Sequence, residues 1–166
     1  NVPGRTFTGN ENTAQQNYVT PEFFRTVGMT LVAGREFADR DDANAPPVAI
    51  VSERTAKDYF GTTDAIGRRF GYDSTSMFEV VGVVRDARVN AIKEEPQRLV
   101  FFPLAQGMRH ITNITVRTTG PADAVVNGLR EAIRRVDPML PLREVVAVKA
   151  LHERGLSAGR MIAYII

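Results

Sequence analysis

The hydrophobic pattern of the chain centres on Phe78-Glu79-Val80-Val81-Gly82-Val83-Val84-Arg85-Asp86, where Phe and Val crowd around one glycine and the charges wait at the end. Branched and bulky side chains suit an extended, pleated backbone. Near-continuous apolarity, in place of strict alternation, predicts a central strand covered on both faces. Val48-Ala49-Ile50-Val51 and Leu99-Val100-Phe101-Phe102-Pro103 repeat the pattern in shorter form, the second stopped by its proline. Arg5-Thr6-Phe7-Thr8 is the one strand candidate in an otherwise polar start, and Gly67-Arg68-Arg69-Phe70 leads into another strand. Residues 110–118 alternate in part, with Ile114 and Val116 opposite Thr115 and Arg117, so one face is expected to be wet. A last strand is expected over residues 142–148.

Helical spacing appears three times. Thr20, Pro21 and Gly28 frame a helix of barely two turns, with Thr20 as cap, Pro21 at the first position and Gly28 as a left-handed stop. Ser52 caps a second helix at residues 53–60, where Ala56, Tyr59 and Phe60 share a side and Gly61 ends it. Gly120-Pro121 opens the longest helix, to Val136. Its apolar stripe is Val125, Leu129, Ile133 and Val136, and Glu131 and Arg135 are spaced for an ion pair. Short strands mixed with three helices predict an α+β fold, with helices packed on a largely antiparallel or mixed sheet.

Composition adds little chemistry. The 166 residues suffice for one domain with a proper core, and 43% hydrophobic with 24% charged residues is ordinary for a globular protein. The absence of cysteine excludes disulfides and thiolate metal sites. A net charge of +2 gives no argument for a polyanionic partner, and the basic residues, nearly all Arg, form no block. The first residue is Asn1, with no signal-peptide pattern after it. The final Met161-Ile162-Ala163-Tyr164-Ile165-Ile166 reads either as a core element or as the first turns of a membrane helix, being far short of the ~20 residues a span needs.

The candidate motifs read as structure. Between Gly61 and Gly67 lie five residues, and Arg68-Arg69 follows, where a phosphate loop needs four and then Lys-Ser or Lys-Thr. A helix end joined to a turn explains it. Asp39-Arg40-Asp41-Asp42 lacks the turn glycine and distal Glu of a calcium loop and reads as a solvated loop. His110 and His152 have no ligand partner at useful spacing, and Ser52 lacks a nucleophile-elbow frame. Asn113-Ile114-Thr115 matches a glycosylation acceptor only by pattern, and Phe101-Phe102, which could stack RNA bases, reads as core. No catalytic, cofactor-binding or metal-binding residue emerges, and no partner-binding residue is identified.

The order of landmarks nevertheless resembles a known family. Tyr18-Val19-Thr20-Pro21-Glu22-Phe23-Phe24, Gly34-Arg35-Glu36-Phe37, Val48-Ala49-Ile50-Val51-Ser52-Glu53 and Ile66-Gly67-Arg68-Arg69-Phe70 occur in turn. The central run with Asp86, Val100-Phe101-Phe102-Pro103-Leu104, Val116-Arg117-Thr118 and Asp137-Pro138-Met139-Leu140-Pro141 complete the series. Together they resemble the periplasmic core domain of MacB-like ABC transporter permeases of the FtsX-like group, and look most like the duplicated permeases of acidobacteria.

The resemblance implies a two-lobed domain held outside the cytoplasm, with lobe one at residues 1–46 plus 110–150, an inserted lobe at 47–109, and 151–166 as a linker toward a membrane helix. It implies a non-catalytic part of an inner-membrane permease that relays ATP-driven motion to periplasmic cargo or partners, in efflux or mechanotransmission. The partners implied are a cytoplasmic ATP-binding cassette, a periplasmic adaptor protein and a second copy or pseudo-copy of the permease, with no nucleic acid and no cofactor. Gly34, Pro46, Pro47 and Gly107 are the hinge candidates. A free-standing extracytoplasmic module for a peptide or small ligand is the alternative, recognisable by a concave apolar pocket with a few polar groups. An arginine-using nucleic-acid binder is a third reading, recognisable by salt-dependent retention.

Overall fold

The computed structural model of the chain describes residues 2–4, 13–72, 77–86, 97–107, 113–140, 145–147 and 163–165. They fall into two units, Asn1–Arg109 and His110–Ile166. The first unit runs β1 (Gln15–Val19), α1 (Phe23–Val27), β2 (Leu31–Gly34), β3 (Val48–Ser52), α2 (Glu53–Phe60), β4 (Arg69–Gly71), β5 (Met77–Val84), β6 (Leu99–Pro103) and α3 (Leu104–Gly107). Its six strands make one mixed sheet in the order β1-β6-β3-β5-β2, with β4 also on β5. β1 runs parallel to β6 and β3 parallel to β5, while β3–β6, β2–β5 and β4–β5 are antiparallel. The mixed sheet expected from the sequence is present.

β5 is the strand on which this sheet turns. β3 pairs along one of its edges, and the other edge is shared by β4 at Met77, Phe78 and Glu79 and by β2 at Gly82, Val83 and Val84. Both faces are covered as well. On one face Val80 and Val83 join Ala49, Val51, Val100, Phe102 and the Ala56 and Tyr59 side of α2. On the other, Val84 joins Val48, Ile50, Leu99, Phe101 and Phe24 of α1, with Val81 packed against them. Each such buried Val or Phe contributes about 1.5–3 kcal/mol.

The face assignments expose an irregularity inside the apolar run. On β3 and β6 the two faces alternate strictly, but on β5 Val80 and Val83 share a face although three positions apart. Ala49 pairs with Val80 and Ile50 with Gly82, so Val81 and Gly82 together oppose one residue of β3. That extra residue is a β-bulge, which bends a strand and reverses its alternation. Glycine is required there, because a Cβ at Gly82 would lie 2.6 Å from Arg35 O and 3.1 Å from Ile50 Cγ1. β2 carries a matching irregularity between Leu31 and Ala33, which leaves Val32 46% exposed.

α2 has the bounds its sequence dictates. The Ser52 side chain accepts from Thr55 N at 3.3 Å, and Gly61 closes the helix at φ 74°. α1 begins later than expected. Thr20 contributes its carbonyl, which accepts from Phe23 N at 3.1 Å, so Pro21 and Glu22 form a turn before the helix starts. Gly28 ends it at φ 76°, as expected. β1 has no counterpart in the sequence reading, and the candidate at residues 5–8 lies outside the described residues, as do the connection at 87–96, His110 and His152.

The two units differ in extent from the lobes that the resemblance implied: β1 and β2 share the six-stranded sheet with β3 to β6, and the division comes after Arg109. Pro46-Pro47 resembled a break because neither residue has an N–H to donate, but the next strand pairs with chain far away. The second unit contains β7 (Thr115–Val116), α4 (Ala122–Val136), β8 (Val145–Ala147) and β9 (Ala163–Ile165). β9 lies parallel between β7 and β8, so part of the stretch expected as a linker is a strand. On α4, Ile133 is buried and Val125 and Leu129 are half-buried, but Val136 is 88% exposed, so the stripe ends one turn early. The Arg135–Glu131 pair forms at 3.8 Å on the exposed face, where such pairs contribute a few tenths of a kcal/mol.

Candidate functional site

Side-chain hydrogen bonds brace the first unit in several places, chiefly around α2, the loop after β2 and Gln106. β3 and β6 pair at only two rungs, Ile50 with Phe101 and Val51 with Val100. At the next position the chain turns into α2, and two hydroxyls replace the missing backbone partners. Thr55 Oγ1 donates to Leu99 O at 2.9 Å, and Leu99 N donates to Ser52 Oγ at 3.4 Å. Ser52 and Thr55 are fully buried and lie 3.1 Å apart. A buried hydroxyl without a partner would cost about 1–3 kcal/mol, so these bonds explain both residues. Ser52 is a cap and a rung, out of reach of any substrate.

The start of α2 is also tied to the end of β5. Arg54 N donates to Asp86 Oδ1 at 2.8 Å, and Asp86 N donates to Glu53 Oε2 at 3.3 Å. Two carboxylates at a helix N-terminus also complement its dipole. One turn on, Asp58 accepts from Arg54 Nε at 2.8 Å and from Arg98 Nε at 2.6 Å. Burial pushes the Asp58 carboxyl up, but the two guanidinium hydrogen bonds outweigh it and hold it below its ordinary value. Arg98 precedes β6, so this carboxylate joins α2 to a strand 40 positions away.

The loop after β2 has its own brace. Arg35 donates to both carboxylate oxygens of Asp41 at 2.7 and 2.8 Å, and Ala38 N adds a third bond at 2.9 Å. Asp41 is 4% exposed. The Arg35 hydrogen bond holds the Asp41 carboxyl below its ordinary value against the opposing effect of burial. A carboxyl with a depressed folded-state pKa stabilises the fold above its unfolded pKa, and that contribution disappears as pH falls through the folded value. Stability measured by urea unfolding should therefore fall below about pH 4. In Asp41→Asn the loss on acidification should be shallower, and an unchanged acid limb would rule out the brace.

Neighbouring candidates for hinges are occupied in the same way. Gln106 Oε1 accepts from Val48 N at 3.1 Å, and its amide nitrogen donates to Asp42 O and Pro46 O, each at 3.1 Å. The proline pair is thus fastened to α3. Gly107 packs its bare Cα against the Tyr18 ring, and Gly34 sits where a Cβ would overlap the Val81 carbonyl. Of the acidic run, Asp41 is paired to Arg35, and Asp42 Oδ1 accepts from Asn44 N and Ala45 N at 2.8 and 3.1 Å. Gly61 is the cap of α2 and Gly67 N donates to Val80 O at 2.8 Å, so the phosphate-loop look-alike is a helix end and a turn. Phe101 and Phe102 are each 2% exposed, in contact with Phe24 and Phe78, and offer no surface to a base. Asn113 is exposed just before β7.

Sequence reasoning found Ser52, Gly61 and the Glu131–Arg135 spacing, but missed the Asp58, Asp86 and Gln106 braces. Apart from Arg54, which stands four positions before Asp58 at the same helical spacing as Glu131 and Arg135, their partners lie 32 to 64 positions away. The arrangement offers mechanical continuity: α2 is joined to β3, β5 and β6, and the loop before β3 to α3. Among the described residues no helix is long and apolar enough to cross a membrane.

Comparison with known proteins gives the family. The family described as MacB-like periplasmic core domain matches residues 2–135. The chain is 26% identical over 113 residues to the macrolide export ATP-binding/permease protein MacB of Wolinella succinogenes. That match covers 64% of this chain and 17% of the relative, so the chain spans a small part of that protein's length. Among solved structures it is similar in fold to the periplasmic region of MacB from Actinobacillus actinomycetemcomitans, with a TM-score of 0.58 at 17% identity. The likeness covers 81% of this chain and 60% of that one.

Proposed function

This chain belongs to the family of MacB-like periplasmic core domains, as an extracytoplasmic domain of a MacB-like ABC transporter permease, and on that premise we propose that it relays ATP-driven motion to periplasmic cargo or partner proteins. Its own part in transport is non-catalytic. The nucleotide is hydrolysed by a cytoplasmic ATP-binding cassette, and the domain works within a dimer or pseudo-dimer of the permease and hands movement to an adaptor or cargo, in efflux or mechanotransmission. The family match carries the reading. The braces around α2 support it, because a relay needs bodies that move without deforming, as in hinge and shear transitions.

This chain contributes no cysteine of its own, so once any cysteines in the rest of the permease and its ATPase are replaced by serine, spin labels report only from the introduced positions. Lys57 and Asp39 are exposed positions in the first unit, and Arg130 is exposed on α4. In the full-length permease with its ATPase, in nanodiscs, a Lys57→Cys/Arg130→Cys pair should change its distance distribution between nucleotide-free and ATP-bound states. A Lys57→Cys/Asp39→Cys pair within the first unit should keep one distribution throughout. Identical distributions for the first pair in every nucleotide state would refute the relay.

A further inference from the structure

The covered face of the first unit's sheet does not close completely. Beside α2 an open cleft of about 310 Å³ remains over β1, β4, β5 and β6. This is roughly twice the ~150 Å³ in which an apolar cavity accepts benzene, and near the lower limit of ordinary ligand pockets. The cleft is framed by aromatic rings: Phe78 and Phe102 have centroids 4.6 Å apart, Phe70 and Phe78 6.1 Å, and Tyr59 and Phe70 5.7 Å. Offset and edge-to-face contacts of this kind accept a further ring readily.

Among the described residues the mouth is polar and uncharged. Tyr72, 62% exposed, sets its ring edge-on to Phe78 at 6.2 Å and donates from its hydroxyl to Gln16 Oε1 at 2.7 Å. This bond joins the end of β4 to β1 across 56 positions and leaves the Gln16 amide N–H groups to donate elsewhere. No charged residue lines the cleft among the described residues. Burial also holds the Tyr59 phenol above its usual pKa, so that wall stays neutral. An ion among these side chains would lose hydration with no countercharge from them to replace it.

We propose that this cleft binds a small, uncharged aromatic molecule, its ring packed against the accessible surface of Phe78 and Tyr72 and a hydrogen-bond acceptor held by the Gln16 amide. The site is independent of the relay and would hold or sense an apolar compound outside the cytoplasm.

The chain has no tryptophan, so an environment-sensitive dye reports binding against a dark background. The neutral naphthalene ketone prodan carries the rings and the acceptor the cleft requires. Titrated with the 166-residue chain, it should show saturable, blue-shifted emission, while anionic anilinonaphthalene sulfonate binds at least about tenfold more weakly. Ala14→Phe, which fills the cleft, and Gln16→Leu, which removes the donor from an exposed position, should each weaken prodan binding about tenfold. Gln16→Leu should leave the unfolding midpoint in place, so it decides the matter even if Ala14→Phe fails to fold. No saturable binding up to the solubility of the dye, or wild-type binding in Gln16→Leu, overturns the proposal.

Discussion

Replacing Gly34 by alanine should lower the stability of the first unit by on the order of 3 kcal/mol or more, a fall of roughly 10–20 °C in its melting midpoint. Two effects add at this position. Gly34 has φ 77°, a left-handed conformation that costs an L-residue about 1–2 kcal/mol. A Cβ there would also overlap the carbonyl oxygen of Val81 and lie 2.7 Å from Ile66 Cδ1 and 3.0 Å from Gly82 Cα. The first obstacle is the backbone of the bulge, which a rotamer change cannot move aside. β2 would have to leave β5, and the pairing of Gly34 with Gly82 would be lost.

Gly67 provides the control for that argument. Its φ is 76°, nearly the same, but a Cβ at Gly67 would meet nothing within 4 Å. Gly67→Ala should therefore cost only the conformational part, about 1–2 kcal/mol. Thermal melts of both variants followed by circular dichroism separate the two contributions. Equal losses would mean that the close approach of β2 to the bulge is not what holds this edge of the sheet.

What the sequence made legible divides along physical lines. α2 could be read to the residue, because Ser52 and Gly61 act on the backbone beside them and local chemistry is fully present in local sequence. β5 was recognisable as a strand covered on both faces, since apolarity on both sides of a strand requires cover on both sides. The bulge within it was hidden, because a run of valines looks the same whether or not one is an extra residue. β1 was missed for a related reason. Gln15, Gln16 and Asn17 carry no strand signature, and the strand exists because β6 supplies its hydrogen bonds from more than eighty positions away. The tie across Pro46-Pro47 was hidden for the same reason, since Gln106 donates to the Pro46 carbonyl from 60 positions on. The candidate cleft lay furthest from view, as it depends on where four separate strands and α2 leave space.

That dependence on β5 makes Val80 the most sensitive position in the apolar run. It is completely buried, paired with Ala49 and packed among Val83, Val100 and Phe102. Val80→Asp removes about 1.5–3 kcal/mol of burial and adds an unpartnered polar group worth about 1–3 kcal/mol. The larger effect follows from ionisation. Burial disfavours the charged form, so the new carboxyl's pKa in the fold should lie well above its unfolded value near 4, by as much as about 3–5 units. A group whose folded pKa is raised loses stability as pH increases, here by about 1.4 kcal/mol per unit from near pH 4 up to the folded pKa. Set against a total stability of about 5–15 kcal/mol, that should leave the first unit unfolded at pH 7. It should refold in part near pH 4.5, above the range where the depressed carboxyls Asp41 and Asp58 begin to lose their own contributions. Val80→Asn loses the same burial but cannot ionise, so its deficit should not vary between pH 4.5 and 7. Urea unfolding at both pH values tests this, and a Val80→Asp protein equally stable at each would mean that water reaches the centre of the sheet.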